Sequence, residues 1–406
     1  MPQYAAVLGH QPHISIAELA AVVPGFTLES IEQTVVALFS ADEELDDDCI
    51  DRLGGTVLLA RRITEADVSM SDIPQLLVNE CGKVRKKVTF SLRCYDVPSK
   101  LIKTAYIKGK EAFKSAGKPC RYVGNEKKHA AVALLHDSDV ISGKKGVELF
   151  IVQTASQLWV GRTIGAQDID RYTWRDMDKP VRDTTVGLLP PKLAQVMLNF
   201  GAWMVESERD NKKRKKHIVY TVLDPFCGTG VIPLECLLQG WHVLASDVSQ
   251  KAVNGTKKNL DWVRKEMKIL KKDVSDDVSK HDALKPFKLK SLPDMVVTET
   301  TLGPALTKKP TKTDVKKYLK DSEALEAAFL HNAAASLPGV PIVCMWPFWR
   351  LGGDVIRHEK IWSVAKELGY RAVLPAGAPV EDPEKLSLLY QRKDQFVGRE
   401  IVLLLP

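Results

Sequence analysis

The feature that most constrains this chain is a glycine-containing turn near the middle of the sequence. A short apolar run at 218–223 leads into the turn Asp224-Pro225-Phe226-Cys227-Gly228-Thr229-Gly230, and residues 231–239 have the composition of a helix. A strand, a glycine turn and a helix in this order bring unpaired backbone N–H groups and the positive end of a helix dipole to one point. The pattern therefore predicts a small-ligand site at 224–230.

An acidic residue, Asp247, follows the next apolar run, which covers 241–245. In a strand-helix-strand unit an acid at this position lies beside the glycine turn, where it can accept hydrogen bonds from ribose hydroxyls. The turn and the acid together predict a ribose-containing cofactor. The alternative is a plain glycine turn of a doubly wound sheet that holds no ligand.

Length and composition limit the class of protein. With 406 residues, 45% of them hydrophobic and 27% charged, the chain is long enough for two or three globular domains. It contains no apolar run of the roughly 18 residues that a membrane span needs, and it begins without the pattern of a secretion signal. Seven scattered cysteines without a C-x-x-C pair are typical of reduced thiols and argue against disulfides and structural zinc. We therefore expect a cytoplasmic protein without a metal site.

Charge is segregated along the chain. Residues 1–60 carry one basic residue against ten acidic ones, whereas residues 61–175 carry 21 basic residues against 12 acidic ones. Much of this excess lies on a helix predicted over 99–116, whose lysines surround a narrow apolar face. A basic segment of this kind is typical of proteins that bind a polyanion. Lysines that only solvate a surface are the alternative.

The pattern of predicted elements changes near residue 190. Upstream, short strands and helices alternate irregularly, with Ser15 predicted to cap the first helix in a capping box with Glu18. Residues 131–136 are predicted as a strand, and 169–189 as a connector with little periodicity. The basic run at 209–217 is predicted to form a solvated loop, with an RNA contact or a nuclear address as alternatives.

Downstream, strands and helices alternate regularly. This alternation predicts an α/β fold with a parallel, doubly wound sheet and right-handed crossovers. Two further strand patterns, at 386–391 and 399–405, predict a C-terminal antiparallel hairpin. In such a sheet the ligand lies beyond the carboxyl ends of the strands. The strand ends predicted to converge there are 224–230, Asp247, Asp282-Ala283 and 298–304.

Several segments carry a resemblance to a known family. The turn at 224–230 with Asp247 resembles the cofactor loop of S-adenosylmethionine-dependent methyltransferases, and more narrowly of those that methylate the exocyclic N2 of guanine in RNA. The resemblance to THUMP-containing tRNA guanosine-10 N2-methyltransferases extends to three further segments: Arg171–Met177, Gly187–Ala194, and Leu8-Gly9-His10 with Ile16–Leu19. It implies four parts: an N-terminal α+β ferredoxin-like domain at 1–75, a THUMP RNA-binding domain at 76–168, a connector at 169–190 and a class I methyltransferase domain at 191–406.

The resemblance also implies roles for individual residues. The turn from Asp224 to Gly230 would cradle the methionine end of S-adenosylmethionine, and Asp247 would hold the ribose. Asp282 and Ala283 would meet the adenine, with Asp273 as a less favoured alternative because Asp-Ala before a leucine fits the family turn better. Leu188 and Pro190 would cover the cofactor from the connector. Glu299, Thr300 and Leu302 would form the catalytic loop, in which the Glu299 carboxylate and the Thr300 carbonyl accept hydrogen bonds from the guanine amine.

The predicted catalytic loop departs from the family pattern. The family has Asp/Asn-Pro-Pro-Tyr/Phe, or Glu-Pro-Tyr-Leu-Gly-Pro, where this chain has Glu299-Thr300-Thr301-Leu302-Gly303-Pro304. The missing aromatic ring at 301 would have stacked on the substrate base, a contact worth roughly 1–3 kcal/mol. The aromatic segment at 346–349 is a candidate replacement, with core packing as its alternative.

These observations lead to two hypotheses. In the first, the chain transfers a methyl group from S-adenosylmethionine to guanine N2 in tRNA. In the second, it is a catalytically impaired relative that binds RNA. A nicotinamide-dependent enzyme is less favoured because the turn lacks the third glycine of G-x-G-x-x-G. The sequence leaves open whether a small activating protein subunit takes part.

Overall fold

A computed structural model describes residues 1–46, 48–64, 67–85, 87–183, 188–208, 218–304, 306, 308–393 and 395–406. The basic run at 209–217, predicted as a loop, lies outside the described residues. The chain divides into two compact units, a first unit of residues 1–171 and a second unit of residues 172–406. None of the described helices is long and apolar enough to cross a membrane.

A single eight-stranded sheet forms the framework of the first unit, in the order β2-β3-β1-β4-β8-β7-β5-β6. Its strands are β1 (Gln3–Leu8), β2 (Thr27–Glu32), β3 (Val36–Ser40), β4 (Thr56–Arg62), β5 (Val88–Tyr95), β6 (Cys120–Tyr122), β7 (Gly146–Gln153) and β8 (Leu158–Ala166). The helices are α1 (Pro12–Val22), α2 (Ile73–Glu80), α3 (Ser99–Ser115) and α4 (Val132–Asp137), with a 3-10 turn at Cys49–Arg52. The boundary between the two units falls within α5 (Ile169–Met177).

The sheet joins the first two predicted domains. Strand β4, from the predicted 1–75 domain, pairs antiparallel with β8, from the predicted 76–168 domain, between Leu58–Ala166 and Arg62–Gly161. Apolar side chains on β1 and β3 pack with α1, whereas those on β5 and β7 pack with α2 and α3. The helix predicted over 99–116 is therefore present as α3. The domain boundary between 75 and 76 stays a prediction.

The predicted capping box at Ser15 is wrong. The N-cap of helix α1 is Gln11, four residues before Ser15, and the helix begins at Pro12 because proline is well suited to the first helical position. Ser15 and Glu18 lie buried inside the helix, and the Ser15 hydroxyl donates to the carbonyl of Gly55 over 2.6 Å. The Glu18 carboxylate accepts the N–H groups of Gly54 and Gly55 at 2.8 and 2.7 Å. Both side chains therefore hold the turn before β4.

One further prediction in this part of the chain is wrong. The segment 131–136, predicted as a strand, lies in helix α4 from Val132 onward. The start of the predicted connector, where the sequence has little periodicity, forms helix α5. A short apolar run does not by itself distinguish a strand from a buried helical turn. Helix α5 contains an aromatic–cation contact, in which Arg175 stacks over the Tyr172 ring at 4.0 Å. A search for apolar periodicity does not detect a helix with a contact of this kind.

The second unit is built on a nine-stranded sheet in the order β11-β10-β9-β12-β13-β17-β15, with β14 paired to β13 and β16 to β17. Its strands are β9 (Thr221–Asp224), β10 (His242–Asp247), β11 (Asp276–Lys280), β12 (Met295–Glu299), β13 (Ile342–Leu351), β14 (Asp354–Ile356), β15 (Arg371–Ala372), β16 (Ser387–Tyr390) and β17 (Val397–Leu405). The helices are α6 (Pro191–Ser207), α7 (Val231–Leu238), α8 (Gln250–Met267), α9 (Lys312–Ser336) and α10 (Lys360–Glu367).

The prediction of a doubly wound sheet with a C-terminal antiparallel hairpin is confirmed. Strands β9 to β13 pair in parallel, and β17 runs antiparallel to β13, β15 and β16. Alternate residues of β12 face opposite sides of the sheet. Met295 lies against Gly201 of α6, where an added Cβ would come within 2.5 Å of its sulfur. Val296 packs in the cluster that holds Phe329 of α9 and Ile361 of α10. Helices therefore cover both faces.

Candidate active site

The glycine turn lies at the carboxyl end of β9, as predicted, and both of its glycines have positive φ. Gly228 has φ of 52° and Gly230 has φ of 85°, a region that side chains disfavour. A Cβ on Gly230 would lie 2.7 Å from the Thr256 methyl carbon, so this glycine allows α8 to pack closely. A Cβ on Gly228 would meet no atom within 4 Å. Gly228 therefore faces open space, which a cofactor-binding turn requires.

Asp247 lies beside this turn, which is the position that its spacing predicts. Its Oδ2 accepts the N–H of Gly228 at 3.0 Å, and its Oδ1 accepts the N–H of Ser249 at 2.8 Å. On the other side of the turn, the Thr256 hydroxyl donates to the Gly228 carbonyl over 2.9 Å. The Cys227 N–H donates to the Ser246 carbonyl over 2.9 Å. These bonds hold the turn against β10 and α8.

A buried asparagine of α8, Asn259, connects the turn to the connector. Its side-chain amide donates to the carbonyl oxygens of Thr229 and Val181 at 2.8 and 2.9 Å, and its Oδ1 accepts the Val181 N–H at 2.9 Å. The connector is therefore held next to the glycine turn. No sequence motif identifies Asn259, because its role depends on two segments that are distant in the chain.

The remaining residues of the turn are mostly packed. Pro225 and Cys227 are buried, and the Phe226 ring meets the Phe329 ring edge-on at a centroid distance of 5.3 Å. Asp224 is buried, and its Oδ1 accepts the Thr298 hydroxyl at 2.7 Å. Burial raises the pKa of Asp224 to about 7, while the hydrogen bond from Thr298 opposes this shift. Asp224 thus links the end of β9 to Thr298 of β12, and Thr298 directly precedes Glu299 in the chain.

The turn at Asp282 lies next to Asp247, since the His281 N–H donates to the Asp247 carbonyl over 3.1 Å. Asp282 Oδ1 accepts the N–H of Leu284 at 3.1 Å, and its Oδ2 lies 3.7 Å from the Lys285 ammonium. The buried Ala283 has its carbonyl bonded by Asn332 at 2.8 Å. The structure therefore brings this predicted adenine-contacting turn to the ribose-binding candidate.

Glu299 lies at the end of β12 and forms an ion pair that the sequence analysis missed. Arg399 of β17 donates from Nε to Glu299 Oε1 over 2.5 Å, and its Nη2 donates to the Leu188 carbonyl over 3.2 Å. Arg399 is 1% exposed, whereas the Glu299 side chain is 15% exposed. One buried guanidinium therefore holds both the predicted catalytic carboxylate and the connector residue predicted to cover the cofactor.

Two opposing effects set the protonation of Glu299. Burial raises its pKa, and the charge of Arg399 and its hydrogen bond lower it. The net shift is upward, so the carboxylate binds a proton more readily than an exposed glutamate does. A carboxylate of raised pKa is well suited to accept hydrogen bonds from an amine and to take up its proton.

The other predicted loop residues differ in exposure. Thr300 is buried, Leu302 is half-buried, and Pro190 is buried where α6 begins. Three aromatic side chains of the 346–349 segment, Trp346, Phe348 and Trp349, have no exposed surface. This segment therefore packs in the core and presents no ring for stacking on a base.

Arg399 carries a signal that sequence analysis can use. It forms a charged pair of neighbours with Glu400 inside an otherwise apolar strand, and both side chains are buried. Buried charges need partners, so a charged pair in an apolar strand predicts an ion-pair site. The identity of the partner, Glu299, depends on the pairing of β17 with β13 and of β13 with β12.

A cavity of about 600 Å³ lies on one face of β9, β10 and β11. Its lining includes Leu223, Leu244, Ser246, His281 and Phe287, and it includes neither the glycine turn nor the Asp247 side chain. The predicted cofactor seat is therefore defined by the strand-end turns rather than by this cavity. In the parts of the chain that the structure describes, no group of three histidine, cysteine or acidic side chains is arranged as a metal site.

The strand order and the converging turns define the class of protein. Counted along the second unit, and leaving out β14 and β16, the sheet order is 3-2-1-4-5-7-6, with the seventh strand, β17, antiparallel to both of its neighbours in this order. This α/β arrangement is the class I methyltransferase sheet that the resemblance implies.

Comparison with known proteins identifies a relative of the predicted kind. The chain is 28% identical over 160 residues to the tRNA (guanine(10)-N2)-dimethyltransferase of Methanothermobacter thermautotrophicus. The match covers 39% of this chain and 38% of the relative, so the chain spans less than half of that protein's length in the alignment. It confirms the predicted resemblance to tRNA guanine N2-methyltransferases. No protein-family model matches the chain.

Solved structures with a similar arrangement are more distant. TrmN from Thermus thermophilus aligns over 99% of both chains with 14% identity and a TM-score of 0.49. A possible methylase from Clostridium difficile 630 aligns over 99% of this chain and 97% of its own, with 11% identity and a TM-score of 0.44. Both TM-scores are below 0.5, so the fold assignment rests on the strand order.

Proposed function

We propose that this chain is an S-adenosylmethionine-dependent tRNA methyltransferase that acts on the exocyclic N2 of a guanosine, with position 10 as the candidate site. The observation that carries the proposal is the Glu299 carboxylate, held by Arg399 at the same strand ends as the Asp224–Gly230 turn and Asp247. The name of the relative that is 28% identical over 160 residues supports the choice of tRNA and of guanine N2.

The residues at the strand ends fit this cofactor. S-adenosylmethionine supplies an electrophilic methyl group when it is bound. The open space in front of Gly228 would receive its amino-acid end, Asp247 would accept hydrogen bonds from its ribose, and Asp282 and Ala283 would meet its adenine. Leu188 and Pro190 would cover it from the connector.

Glu299 has the geometry to prepare the guanine amine. Arg399 engages Oε1, and no described residue forms a hydrogen bond with Oε2. We assign Oε2 as the acceptor of an amine N–H, which turns the nitrogen lone pair toward the methyl group. The raised pKa of Glu299 suits it to accept the proton that the amine loses on methylation. The Thr300 carbonyl would accept the second N–H.

Within the first unit, the part after residue 60 has the basic excess that is typical of an RNA-binding module, with 20 basic against 12 acidic residues over 61–171. Helix α3 exposes five lysines, Lys100, Lys103, Lys108, Lys110 and Lys114. Such cations bind phosphates irrespective of sequence, and their contribution falls as salt rises. We assign residues 1–75 as a ferredoxin-like domain, 76–168 as a THUMP domain, 169–190 as a connector and 191–406 as the methyltransferase domain. A cytoplasmic location goes with a tRNA substrate.

The test is mass spectrometry of tRNA nucleosides after reaction of unmodified tRNA with S-adenosylmethionine. We expect N2-methylguanosine with the wild type and a rate about 10²–10⁴-fold lower with Glu299→Ala, since the variant lacks the positioned acceptor. Glu208→Ala is the matched control, because it removes an exposed glutamate whose ion pair with Arg371 lies on the surface. We expect the control to keep the wild-type rate.

The same experiment decides between the two hypotheses. A wild type that binds S-adenosylhomocysteine and tRNA but yields no methylated guanosine would be the RNA-binding relative. The feature that favours this alternative is the absence of an aromatic ring at Thr301, since the rings of the 346–349 segment are buried.

A further inference from the structure

The side chain of Thr300, next to Glu299 in the chain, is anchored to two other elements. Its hydroxyl is in hydrogen-bond contact with Glu326 of α9 and lies 2.7 Å from the carbonyl oxygen of Met345 in β13. Thr300 is 5% exposed and Glu326 has no exposed surface. The two contacts are therefore made inside the protein, beside the predicted catalytic loop.

The number of protons decides the direction of these two bonds. A carbonyl oxygen can only accept, so Met345 takes the single proton of the Thr300 hydroxyl. The contact between Thr300 and Glu326 then needs a proton on the carboxyl group, which donates it to the hydroxyl oxygen. In a chain of bonds from Glu326 Oε1 through the Thr300 hydroxyl to the Met345 carbonyl, each bond then has one donor and one acceptor.

The surroundings of Glu326 favour the same protonation state. Its Oε2 is buried without a hydrogen-bond partner, and no described cation forms an ion pair with it. An ionised carboxylate in such a place would lose its hydration without compensation. Burial accordingly holds the pKa of Glu326 well above its usual range.

The catalytic loop has a need for such an anchor. The family patterns have proline directly after the acidic or amide residue, and proline restricts the backbone angle φ. This chain has threonine at 300 and 301, which does not restrict φ in this way. The Thr300 carbonyl is one of the two acceptors assigned to the guanine amine, and a displacement of about 1 Å in a reacting group can cost about 100-fold in rate. Side-chain bonds from Thr300 to β13 and α9 hold the residue that carries this carbonyl.

We propose that Glu326 is a neutral carboxylic acid that positions the catalytic loop through its hydrogen bond to Thr300. The inference rests on the proposed function, because the loop is positioned for methyl transfer. Glu326 does not itself contact the substrate, so it is a positioning residue. Its neutral form gives it the role of a donor, which a glutamine amide can take over.

The kinetic test compares two pairs of variants. Glu326→Met and Thr300→Val remove the bond with little change in shape, and we expect each to lower kcat about tenfold, the order expected for one buried hydrogen bond. We expect the KM for tRNA and the affinity for S-adenosylhomocysteine to stay within about threefold. Glu326→Gln and Thr300→Ser should recover most of the lost rate, since they restore the donor and the hydroxyl.

The control is Ser322→Ala, one turn earlier on α9. Ser322 is buried and bonded to His358 at 2.8 Å, and it makes no bond to the catalytic loop. We expect this variant to keep the wild-type kcat although it too loses a buried hydrogen bond. If Glu326→Met is no slower than Ser322→Ala, or if Glu326→Gln is as slow as Glu326→Met, the positioning role is wrong.

A spectroscopic arm tests the protonation state without any turnover. The infrared difference spectrum between the wild type and Glu326→Gln at neutral pH should show the loss of a protonated carboxylic acid band. The loss of an ionised carboxylate band instead would overturn the proposal. A wild type that keeps the acid band but transfers no methyl group would overturn the proposed function and the catalytic role together, while leaving the hydrogen-bond assignment in place.

Discussion

Two loops at neighbouring strand ends of the second unit are held in different ways. The glycine turn 224–230 is held largely through its backbone, by bonds to Asp247, Ser246, Thr256 and Asn259. All four partners lie within the next three elements of the chain, on β10 and α8. The conformation of the turn therefore depends mostly on its own sequence and on residues close to it in the chain.

The predicted catalytic loop, which begins at Glu299, is held through side chains from distant elements. Arg399 reaches Glu299 from a strand one hundred residues away, and Glu326 contacts Thr300 from α9. The predicted cofactor turn is therefore held by residues that lie near it in the chain, whereas the predicted catalytic residues are held by residues that lie far from them. Four variants test this difference, and they follow from the largest expected effect to the smallest.

The first variant is Arg399→Met, which removes the cation from Glu299. We expect kcat for tRNA methylation at neutral pH to fall about 10³-fold, because Glu299 loses its orientation and binds a proton. Unfolding free energy should fall by about 3–5 kcal/mol, as breaking a buried ion pair does. Denaturant titration and nucleoside mass spectrometry measure the two effects.

The control for this variant is Arg371→Met. Arg371 pairs with Glu208, but both side chains are more than half exposed. A surface pair contributes about 0–1 kcal/mol, so stability and kcat should hardly change. Equal losses in the two variants would show that Arg399 has no special role at Glu299.

The second variant is Gly228→Ala, which places a methyl group in the open space before the turn. We expect the affinity for S-adenosylhomocysteine to fall about 100-fold by calorimetry, since the cradle loses room for the ligand. The control is Gly240→Ala, which has φ of 74° and likewise no atom within 4 Å of an added Cβ. Both variants bear a similar backbone strain of about 1–2 kcal/mol, so only a difference in binding indicates a cofactor seat.

The third variant is Asp224→Asn, and its readout is the pH dependence of stability without a ligand. The pKa of Asp224 is raised from 3.8 to about 7 in the folded state, chiefly by burial. The folded protein therefore binds this proton more tightly than the unfolded chain does. The resulting stability is fully present below the unfolded pKa and is lost as pH rises through the folded pKa.

For the wild type we expect this group to lower the unfolding free energy by about 2 kcal/mol between pH 5 and pH 7. Asp224→Asn should lack this component of the slope, and denaturant titration at several pH values measures it. The same slope in both proteins would assign the pH dependence to other groups.

The fourth variant is Asp247→Asn. The amide can still accept the Gly228 N–H through its oxygen, but it loses the charge and one of the two acceptor oxygens, so we expect about tenfold weaker binding of S-adenosylhomocysteine. The control is Asp294→Asn, since Asp294 accepts the Thr221 N–H where β9 begins, at the opposite end of that strand. Equal affinities in the two variants would contradict the assignment of Asp247 to the ribose.

The errors of the sequence analysis follow the same division between local and distant contacts. The 224–230 turn, Asp247 and the alternating elements after residue 218 are in place because glycine geometry and strand periodicity are local properties. The capping box at Ser15 is wrong because its two side chains bond to Gly54 and Gly55, which the local pattern does not show.

The sequence by itself determined the doubly wound sheet and the position of the predicted cofactor turn. Backbone conformation and burial of alternate residues specify both, and both are written in neighbouring residues. Only the tertiary structure decided which groups hold the predicted catalytic loop. It pairs Arg399 with Glu299, and it buries the aromatic rings of the 346–349 segment. The physical reason is that a buried charge or hydroxyl requires a hydrogen-bond or ion-pair partner. The three-dimensional fold determines which residue becomes that partner.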